Sequence, residues 1–399
     1  MPDHRIAVLM NALDMGGAER AIVHLARGMT RRGLALDVAL VKRSGPLLDD
    51  LPAEARIIEL GTASRLRAWS HLFRLPESTR RLVCRRGVFA KHQALPKVIR
   101  SIPRIVDYLR KARPAALLTT LPNNNIAALW ASFLAQSETR IVVREANMLS
   151  IEIAHARQRF ERHLSTLARE WYPHAAGVIA VSDGVAADLA ELTALPRARI
   201  TTVHNPVDIE RVTRLGAEPP KDTWADSEGP PLVLAVGRLA PQKDYATLLR
   251  AFARIVACRP ARLVILGEGT ERPALEMLAE DLGIAKSVRL PGLCANPYAY
   301  MARAKVLVLS SAWEGFPNVL IEALACGCPV VSTDCPSGPA ELLENGRFGR
   351  LTPVGDDVAL AEAVVQTLSA PPSPARLRER AARFSLDAAL DRYLSVMLP

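Results

Sequence analysis

The sequence contains no uninterrupted apolar run close to the roughly 20 residues that a membrane-spanning helix requires. Its first apolar run, residues 6–10, stops at Asn11; it is too short for a signal-peptide core and predicts a buried first strand. Low-complexity tracts and repeats of solenoid period are also absent, which excludes disordered and repeat architectures. These features predict a folded chain that remains in the cytoplasm.

Paired cysteine motifs are missing too. The six cysteines form no C-x-x-C pair, and Cys326-x-Cys328 by itself is not a metal-binding signature. Cysteines without such spacing are typical of reduced, structural thiols in a cytoplasmic protein.

Length and composition predict two folded domains. A chain of 399 residues is too long for one ordinary hydrophobic core, and 49% hydrophobic with 23% charged residues is typical of a folded protein. A segment rich in proline and glycine, residues 214–231, is interpreted as a linker. Short apolar runs alternate with helical patterns on both sides of it, which predicts parallel sheets. The predicted strands are 6–10, 36–41, 115–119, 141–143, 177–181, 232–236, 263–266, 288–290, 306–309 and 329–333.

The predicted fold class is therefore α/β, with two doubly wound Rossmann-like domains that face each other across a cleft. We expect the domains to span residues 1–207 and 208–384. The apolar spacing in 385–398 predicts a final helix. Open parallel sheets bind ligands beyond the carboxyl ends of their strands, so we expect functional residues in the loops there.

Positive charge is concentrated in one stretch. The formal net charge is +10, and residues 65–113 contain fourteen basic residues but only two acidic ones. Apolar residues such as Leu66, Trp69 and Phe73 are interleaved with them. A basic amphipathic stretch predicts contact with anionic lipid head groups or phosphorylated acceptors, at about 1 kcal/mol per basic residue near the surface. A solvated helix face is the alternative; no nucleic-acid motif accompanies the charge, so we expect no nucleic-acid partner.

The first candidate site, GRLAPQK at residues 237–243, directly follows a predicted strand. Its glycine lets the backbone approach a ligand, and Arg238 and Lys243 flank a turn before a predicted helix. Arginine offers a planar fork and lysine a point charge, and both suit a diphosphate. The helix dipole would add roughly 0.3–1 kcal/mol. Alone, this pattern also fits an ordinary polar turn.

The second candidate site follows the predicted strand 306–309. Glu314 falls in the next loop, Pro317 at the predicted first position of a helix over 317–326, and Gly327 at its C-terminal cap. Glu322 then lies in the second turn of that helix. Two carboxylates placed in this way could reach different hydroxyls of one bound molecule, although they could also be a solvated pair.

These motifs resemble those of the retaining glycosyltransferases of family 4, which have the two-domain GT-B fold. The family's two glutamates, separated by seven residues, are matched by Glu314 and Glu322. Residues 237–243, HNPVD at 204–208 and GGAER at 16–20 are also similar. The stretch STDCPSGPAE at 332–341 resembles bacterial members that build surface polysaccharides or lipid-linked oligosaccharides.

The resemblance assigns roles to these residues. It implies that Arg238 and Lys243 hold the donor diphosphate, that Glu322 binds the ribose and that Glu314 contacts the donor sugar. Of these, Glu314, Arg238 and Lys243 would be catalytic. Further donor contacts are implied for Gly16, Gly17, Gly315, Phe316, Asn318 and Val319. GT-B proteins often have a final helix that crosses back onto the first domain, which the helix over 385–399 would do.

Acceptor-side residues are sought in two loops that follow strands of the first domain. The candidates there are Asn123, Arg144, Glu145 and Asn147, whose side chains we expect to point into the cleft. His155 and His163 are interpreted as structural or exposed residues.

The implied reaction moves a hexose or N-acetylhexosamine from a UDP-linked donor to a glycan acceptor carried on a polyprenyl diphosphate. The resemblance implies an α-linked product and no cofactor. It also implies that the enzyme is cytoplasmic and peripheral on the inner face of the cytoplasmic membrane. No Asp-x-Asp triad follows a predicted strand, so we expect a site without a metal; Asp356-Asp357 is interpreted as the start of a helix. A UDP-sugar 2-epimerase and a non-catalytic sugar-nucleotide-binding or membrane-scaffold subunit remain open.

Overall fold

The computed structural model describes residues 5–14, 16–84, 96–156, 160–220, 224 and 229–399. Residues 85–95 of the basic stretch and residues 221–223 and 225–228 of the predicted linker lie outside the described residues. The chain divides into two compact units. Unit 1 comprises Met1–Pro206 and Leu386–Pro399, and unit 2 comprises Val207–Ser385.

Each unit is built on one parallel sheet. The strands are β1 (Ile6–Met10), β2 (Leu36–Leu40), β3 (Arg56–Glu59), β4 (Ala116–Thr120), β5 (Arg140–Glu145), β6 (Gly177–Ala180), β7 (Ile200–Thr202), β8 (Leu232–Val236), β9 (Arg262–Leu266), β10 (Val288–Gly292), β11 (Val306–Leu309), β12 (Val330–Thr333) and β13 (Arg350–Thr352). The order is β3-β2-β1-β4-β5-β6-β7 in unit 1 and β10-β9-β8-β11-β12-β13 in unit 2. This arrangement confirms the α/β class with two Rossmann-like units.

Helices connect the strands. They are α1 (Gly17–Arg31), α2 (Arg65–Leu72), α3 (Glu77–Cys84), α4 (Lys97–Arg100), α5 (Ile102–Ala112), α6 (Pro122–Ala135), α7 (Leu149–Ala154), α8 (Leu164–Trp171), α9 (Asp183–Thr193), α10 (Ile209–Gly216), α11 (Tyr245–Cys258), α12 (Arg272–Asp281), α13 (Tyr298–Met301), α14 (Asn318–Cys326), α15 (Pro339–Leu342), α16 (Asp357–Ser369), α17 (Pro374–Ala382) and α18 (Leu386–Met397). Among the residues that the structure describes, none of these helices has the length and apolarity needed to cross a bilayer.

The central strands form because their residues are apolar on both faces. Every residue of β1 is buried, as a strand covered by helices on both sides requires. Strands β3, β7 and β13 escaped the sequence prediction. All three are short and lie at sheet edges, where polar residues such as Arg56 and Arg350 interrupt the apolar pattern.

The final helix belongs to unit 1, where α18 packs against α1. The apolar residues that predicted it, Leu386, Ala389, Leu390, Tyr393 and Met397, are all buried. They join the core cluster that contains β1 and β2. Gly28 of α1 allows this contact, because an added Cβ would lie 3.0 Å from Leu390 Cδ2.

The HNPVD segment has a structural role at the point where the chain passes from unit 1 to unit 2. The side chain of Asn205 accepts a hydrogen bond from the buried Arg144, and the Pro206 carbonyl contacts His24 Nδ1 at 3.1 Å. Val207 donates its N–H to the Phe384 carbonyl at 3.0 Å. Asp208 caps α10 by accepting a hydrogen bond from the Arg211 N–H.

Each sheet has a topological switch point, where the chain reverses the direction in which it adds strands. In unit 1 this point lies between β1 and β4, and in unit 2 it lies between β8 and β11. Crossover helices diverge to opposite faces there and leave a crevice at the carboxyl ends of the two strands. The switch points therefore indicate where each unit would bind a ligand.

Candidate functional site

The switch point of unit 2 brings both predicted motifs together. Residues 237–244 follow β8, residues 310–317 follow β11, and these two strands are paired neighbours. Lys243 Nζ lies 2.5 Å from Glu314 Oε1, and the side chains are only 15% and 9% exposed. A cation from one motif and a carboxylate from the other thus form one partly buried ion pair.

Three hydrogen bonds to backbone carbonyls fix the two loops to each other. The Ala312 N–H donates to the Gln242 carbonyl at 2.8 Å, and Gln242 Nε2 donates to the Trp313 carbonyl at 2.9 Å. Ser310 Oγ donates to the Lys243 carbonyl at 2.7 Å. Because one of these bonds joins the two main chains and the other two anchor side chains on the opposite main chain, the position of Lys243 relative to Glu314 does not depend on the ion pair alone.

Side chains approach the backbone closely where the first motif begins. A Cβ added to Gly237 would lie 2.9 Å from the Tyr245 hydroxyl and 3.0 Å from Lys243 Cε. The Lys243 stem and the Tyr245 ring therefore lie directly against the backbone at the end of β8. Asp244, with φ of 42°, ends the short 3-10 turn Pro241–Lys243 and caps α11 through the Thr247 N–H.

Glu314 lies among groups that respond to its charge. Ser311 Oγ donates a hydrogen bond to Glu314 Oε1 at 2.7 Å. Burial, and next the negative charge of Glu314, raise the pKa of the Tyr245 hydroxyl. The same two causes raise the pKa of the Cys335 thiol to about 12, so this buried cysteine stays a neutral thiol rather than a nucleophile.

Glu322 is held by α14. The helix starts at Asn318 with Pro317 as its N-cap residue, one position later than predicted, because Pro317 has the non-helical ψ of 88°. Glu322 remains in the second turn, is 4% exposed, and accepts a hydrogen bond from the Tyr298 hydroxyl at 3.4 Å. Gly327 ends the helix with φ of 79°, which confirms the predicted C-terminal cap.

The start of α14 is lined by the remaining donor-side candidates. Gly315 and Phe316 are buried, and Asn318 and Val319 are half-buried in the first turn. A third loop, after β12, contacts this turn: Ser337 Oγ donates to the Gly315 carbonyl at 2.9 Å. Pro317 offers no side-chain acceptor to the first turn, whose N–H groups form the positive end of the helix.

The structure brings only some of the predicted donor-site residues into contact. Lys243 and Glu314 are in contact, whereas Arg238 has an exposed side chain in the loop after β8. The sequence prediction missed Tyr245, Ser311 and Tyr298, which contact or face the two glutamates. An aromatic residue in the first turn of the helix after a glycine loop is the only signal that pointed to Tyr245.

Groups of side chains able to hold a metal ion are absent from the described part of the chain. Asp356 accepts a hydrogen bond from the Ala359 N–H, and Asp357 is the first residue of α16. The interpretation of this pair as a helix start is therefore confirmed.

Unit 1 contains a cavity of about 370 Å³ between the turn that follows β4 and the segment 152–164 that follows β5. Asn123, Glu152, His155 and Glu161 are among its lining residues. Asn123 Oδ1 is buried and has no hydrogen-bond partner among the described residues. Leu121 adopts φ of 75°, which is strained for a leucine, so the chain holds this turn against a local conformational cost.

The loop after β1 is more open. Gly16 caps α1, and a Cβ added there would collide with the Glu19 carboxylate at 2.1 Å. Gly17 is exposed, with no atom within 4 Å of an added Cβ among its described surroundings. A ligand can therefore approach the backbone at Gly17 closely.

Arg144 and Glu145 differ from the expectation that they point towards a ligand. Arg144 is fully buried and donates to the Tyr393 hydroxyl at 2.8 Å and to Thr120 Oγ1 at 2.7 Å. Glu145 is 1% exposed and accepts hydrogen bonds from Tyr172 and Asn125. Both side chains are therefore held by partners inside unit 1.

Burial has a large effect on the Glu145 carboxyl. Desolvation raises its pKa to about 7, against the lowering effect of the hydrogen bonds from Tyr172 and Asn125. Asn147, the fourth acceptor-side candidate, donates from Nδ2 to Glu152 Oε1 at 2.9 Å and so lies beside the cavity lining. His155 is exposed, as expected.

Two family models match the chain. Residues 15–211 match "Glycosyltransferase Family 4", and residues 220–384 match "Glycosyl transferases group 1". Among curated proteins, the chain is 33% identical over 243 residues to an N-acetylgalactosamine-N,N'-diacetylbacillosaminyl-diphospho-undecaprenol 4-alpha-N-acetylgalactosaminyltransferase from Campylobacter jejuni, covering 60% of this chain and 63% of that one. It is 35% identical over 181 residues to the lipopolysaccharide core biosynthesis glycosyltransferase LpsE from Rhizobium meliloti, covering 44% and 51%.

The fold is shared with solved structures. The Anabaena protein Alr3699/HepE in complex with UDP superposes with a TM-score of 0.74 at 20% identity, over 98% of this chain and 99% of that one. The lipopolysaccharide outer core galactosyltransferase WaaB superposes with a TM-score of 0.71 at 20% identity, over 98% and 99%. At this identity the likeness shows the fold alone.

Proposed function

Because the chain belongs to the glycosyltransferases of family 4, we propose that it transfers a hexose or N-acetylhexosamine from a nucleotide sugar to a glycan acceptor. The donor is a UDP-sugar, and the acceptor is linked to a polyprenyl diphosphate. The Campylobacter relative, whose name specifies a diphospho-undecaprenol acceptor, supports the acceptor class, and the UDP in the Anabaena structure supports the donor. The chain spans 63% of that relative, so these assignments are extended from part of its length.

The donor step would take place at the switch point of unit 2. Departure of UDP develops negative charge on the diphosphate, and groups that bind this charge in the transition state accelerate the reaction. Arg238, Lys243 and the N–H groups at the start of α14 would supply them. Glu314 contacts the donor sugar and Glu322 binds the ribose hydroxyls. We propose that the anomeric configuration is retained and the product is α-linked.

The acceptor sugar would bind in the cavity of unit 1 that Asn123, Glu152 and Glu161 help to line. The lining of the cavity there combines carboxylates, an amide and a histidine, which pair well with neutral hydroxyls. Two carboxylates disfavour an anionic group in the same cavity, so the diphosphate of the acceptor would lie outside it. Asn123 is the acceptor-side residue that we retain, because its Oδ1 needs a hydrogen-bond donor.

The observation that carries the proposal is the ion pair of Lys243 with Glu314, since it joins the two motifs in one site. Calorimetry with UDP, GDP and ADP tests the donor assignment. We expect selective UDP binding that weakens roughly tenfold to a hundredfold in Glu322→Gln, because each hydrogen bond to a charged group contributes about 1.5–3 kcal/mol. Glu362→Gln, an exposed change on α16 of the same unit, is the matched control and keeps full affinity.

Release of UDP from the donor without acceptor separates the proposal from its rivals. Slow hydrolysis supports a transferase. UDP binding without any hydrolysis or transfer favours a non-catalytic subunit, and conversion of a UDP-N-acetylhexosamine to its 2-epimer favours an epimerase. Failure of the wild-type chain to bind any nucleotide would contradict the donor site itself.

A further inference from the structure

Unit 1 exposes large apolar side chains on one group of helices. Leu66, Phe73 and Phe133 are 84%, 55% and 50% exposed, and they are the strongly exposed large apolar residues of the described part of unit 1. Leu66 and the half-buried Trp69 lie on α2, Phe73 is its C-cap residue, and the ring centroids of Trp69 and Phe73 lie 5.6 Å apart. The spacing 66, 69, 73 is helical, so these side chains form one outward stripe.

The side of α2 opposite this stripe is buried. Ala68 and Leu72 of α2 face the interior, and α2 packs against α5. Helix α5 in turn packs against α6, which carries Phe133 at its C-terminal end. Arg74 and Pro76, directly after Phe73, line a groove with Phe133. The exposed apolar residues of α2 and α6 therefore belong to one side of unit 1.

The helices of this side are rich in cations. In the described residues of 65–113, eleven lysines and arginines are opposed by Glu77 and Asp107. Both acids are already paired, with Arg81 at 2.6 Å and with Arg67 at 2.8 Å. Of the remaining exposed cations, Arg65 begins α2, Arg74 follows Phe73, and Arg104 lies on α5 one turn before Asp107; none of these three has an ion-pair partner among the described residues.

We propose that α2 docks on an anionic lipid bilayer, with Leu66, Trp69 and Phe73 entering the head-group region and Arg65, Arg74 and Arg104 binding lipid phosphates. The inference extends the proposed function, since it names the surface on which a lipid-linked acceptor would be met. Exposed apolar side chains with arginines at the helix ends and on the neighbouring helix match an interface that is apolar inside and anionic at its edge. A nucleic acid would use the cations but has no use for an 84% exposed leucine.

Co-sedimentation with phosphatidylcholine vesicles, with and without phosphatidylglycerol, tests the docking. We expect binding to the anionic vesicles only, lost when the Debye length is cut from about 10 Å to about 3 Å by salt. Leu66→Ser/Phe73→Ser should weaken vesicle binding roughly tenfold or more by removing inserted apolar area. Arg65→Gln/Arg74→Gln/Arg104→Gln should weaken it about a hundredfold, at roughly fivefold per cation.

Matched changes in unit 2 provide the controls. Met277 and Leu293 are 62% and 67% exposed, so Met277→Ser/Leu293→Ser removes two exposed apolar side chains elsewhere, and Arg250→Gln/Lys286→Gln removes two exposed cations, to be compared with Arg65→Gln/Arg74→Gln. Vesicle binding should be unchanged in both. Equal losses in control and α2 variants, or vesicle binding that survives the α2 changes, would overturn the inference.

Two further measurements keep the result independent of folding and of the proposed chemistry. The substituted side chains are exposed, so the Tm of each variant should match the wild type. UDP binding, which belongs to unit 2, should also be unchanged in the α2 variants. Vesicle binding can thus fail while UDP binding persists, and the reverse outcome would reject the donor site alone.

Discussion

The ion pair between Lys243 and Glu314 connects stability to the proposed reaction. Both side chains are mostly buried, so removing the cation leaves a desolvated carboxylate whose described partner is Ser311. Replacing both charges with neutral groups removes that penalty, because a buried pair contributes little net stability over neutral residues of similar size. We therefore expect the pair to be dispensable for folding and the Lys243 cation to be needed for the proposed binding of the donor diphosphate.

We expect Lys243→Met to lower the free energy of unfolding by about 2–4 kcal/mol and donor hydrolysis by about 10²–10³-fold. Urea denaturation and UDP release measure the two effects. In Lys243→Met/Glu314→Gln, stability should return towards the wild type while hydrolysis stays low. Recovery of hydrolysis in the double variant would show that Lys243 does not act on the diphosphate.

The Glu145 carboxyl makes unit 1 sensitive to pH. Its pKa is raised to about 7 by burial, so the folded state prefers the neutral acid. The contribution of the neutral acid to the free energy of unfolding is fully present below the ordinary pKa of about 4.3. It is lost as the pH rises through the folded-state pKa of about 7. We expect the wild type to lose about 3 kcal/mol more than Glu145→Gln between pH 4.5 and pH 8, measured by urea denaturation. Parallel pH profiles for the two proteins would contradict the raised pKa.

At the scale of elements, the C-terminal end of α14 depends on Gly327. Its φ of 79° is left-handed, and an added Cβ would meet Arg378 Nη2 and Pro374 Cβ at 3.0 Å. Gly283 has a similar φ of 68° but no atom within 4 Å of an added Cβ. Substituting Gly283 therefore measures backbone strain alone, whereas substituting Gly327 measures the same strain together with crowding at the end of the helix that carries Glu322.

We expect Gly283→Ala to cost about 1 kcal/mol, because only the left-handed conformation opposes it. Gly327→Ala should cost roughly 1–3 kcal/mol more, since α17 must move away from the new methyl group. Thermal denaturation measures both. Equal losses would mean that α17 adapts freely and that Gly327 serves only as a cap.

Elements that are buried on both faces were predictable, and edge elements were not. Strand β8 (LVLAV) is continuously apolar and was predicted to the residue, whereas β3 (RIIE) and β7 (ITT) are short edge strands without a distinct pattern. The same limit applies to the site. Lys243 and Glu314 lie 71 positions apart, and only the pairing of β8 with β11 brings them into contact.

Residues at strand ends were predicted less well than motifs. Arg144 and Glu145 end β5 and were expected to meet a ligand, but partners distant in sequence bury them. Tyr393 is 249 positions from Arg144, and no local spacing announces that contact. A polar residue at the end of a central strand can bond to partners in the protein interior or to a ligand. Its sequence neighbours do not distinguish these two cases.

At the scale of the whole molecule, the two units differ in how many chain segments build them. Unit 2 is one continuous segment, Val207–Ser385, whereas unit 1 is completed by the last residues of the chain. Helix α18 contributes Leu390, Tyr393 and Met397 to the core of unit 1, and all three are fully buried. Their burial is worth roughly 5–8 kcal/mol, comparable with the stability of an entire domain.

A chain that ends at Ser385 should therefore fail to fold unit 1 while unit 2 keeps its cooperative transition, because unit 2 loses none of its own residues. Thermal unfolding with and without UDP checks this. The remaining transition should shift upward with UDP, as expected for a ligand that binds only the folded unit. In the full-length chain, Leu390→Ala/Met397→Ala should lower the stability of unit 1 alone by about 4–8 kcal/mol, while the exposed Arg392→Ala on the same helix leaves it unchanged. Loss of the UDP-sensitive transition on truncation would mean that unit 2 cannot fold without unit 1.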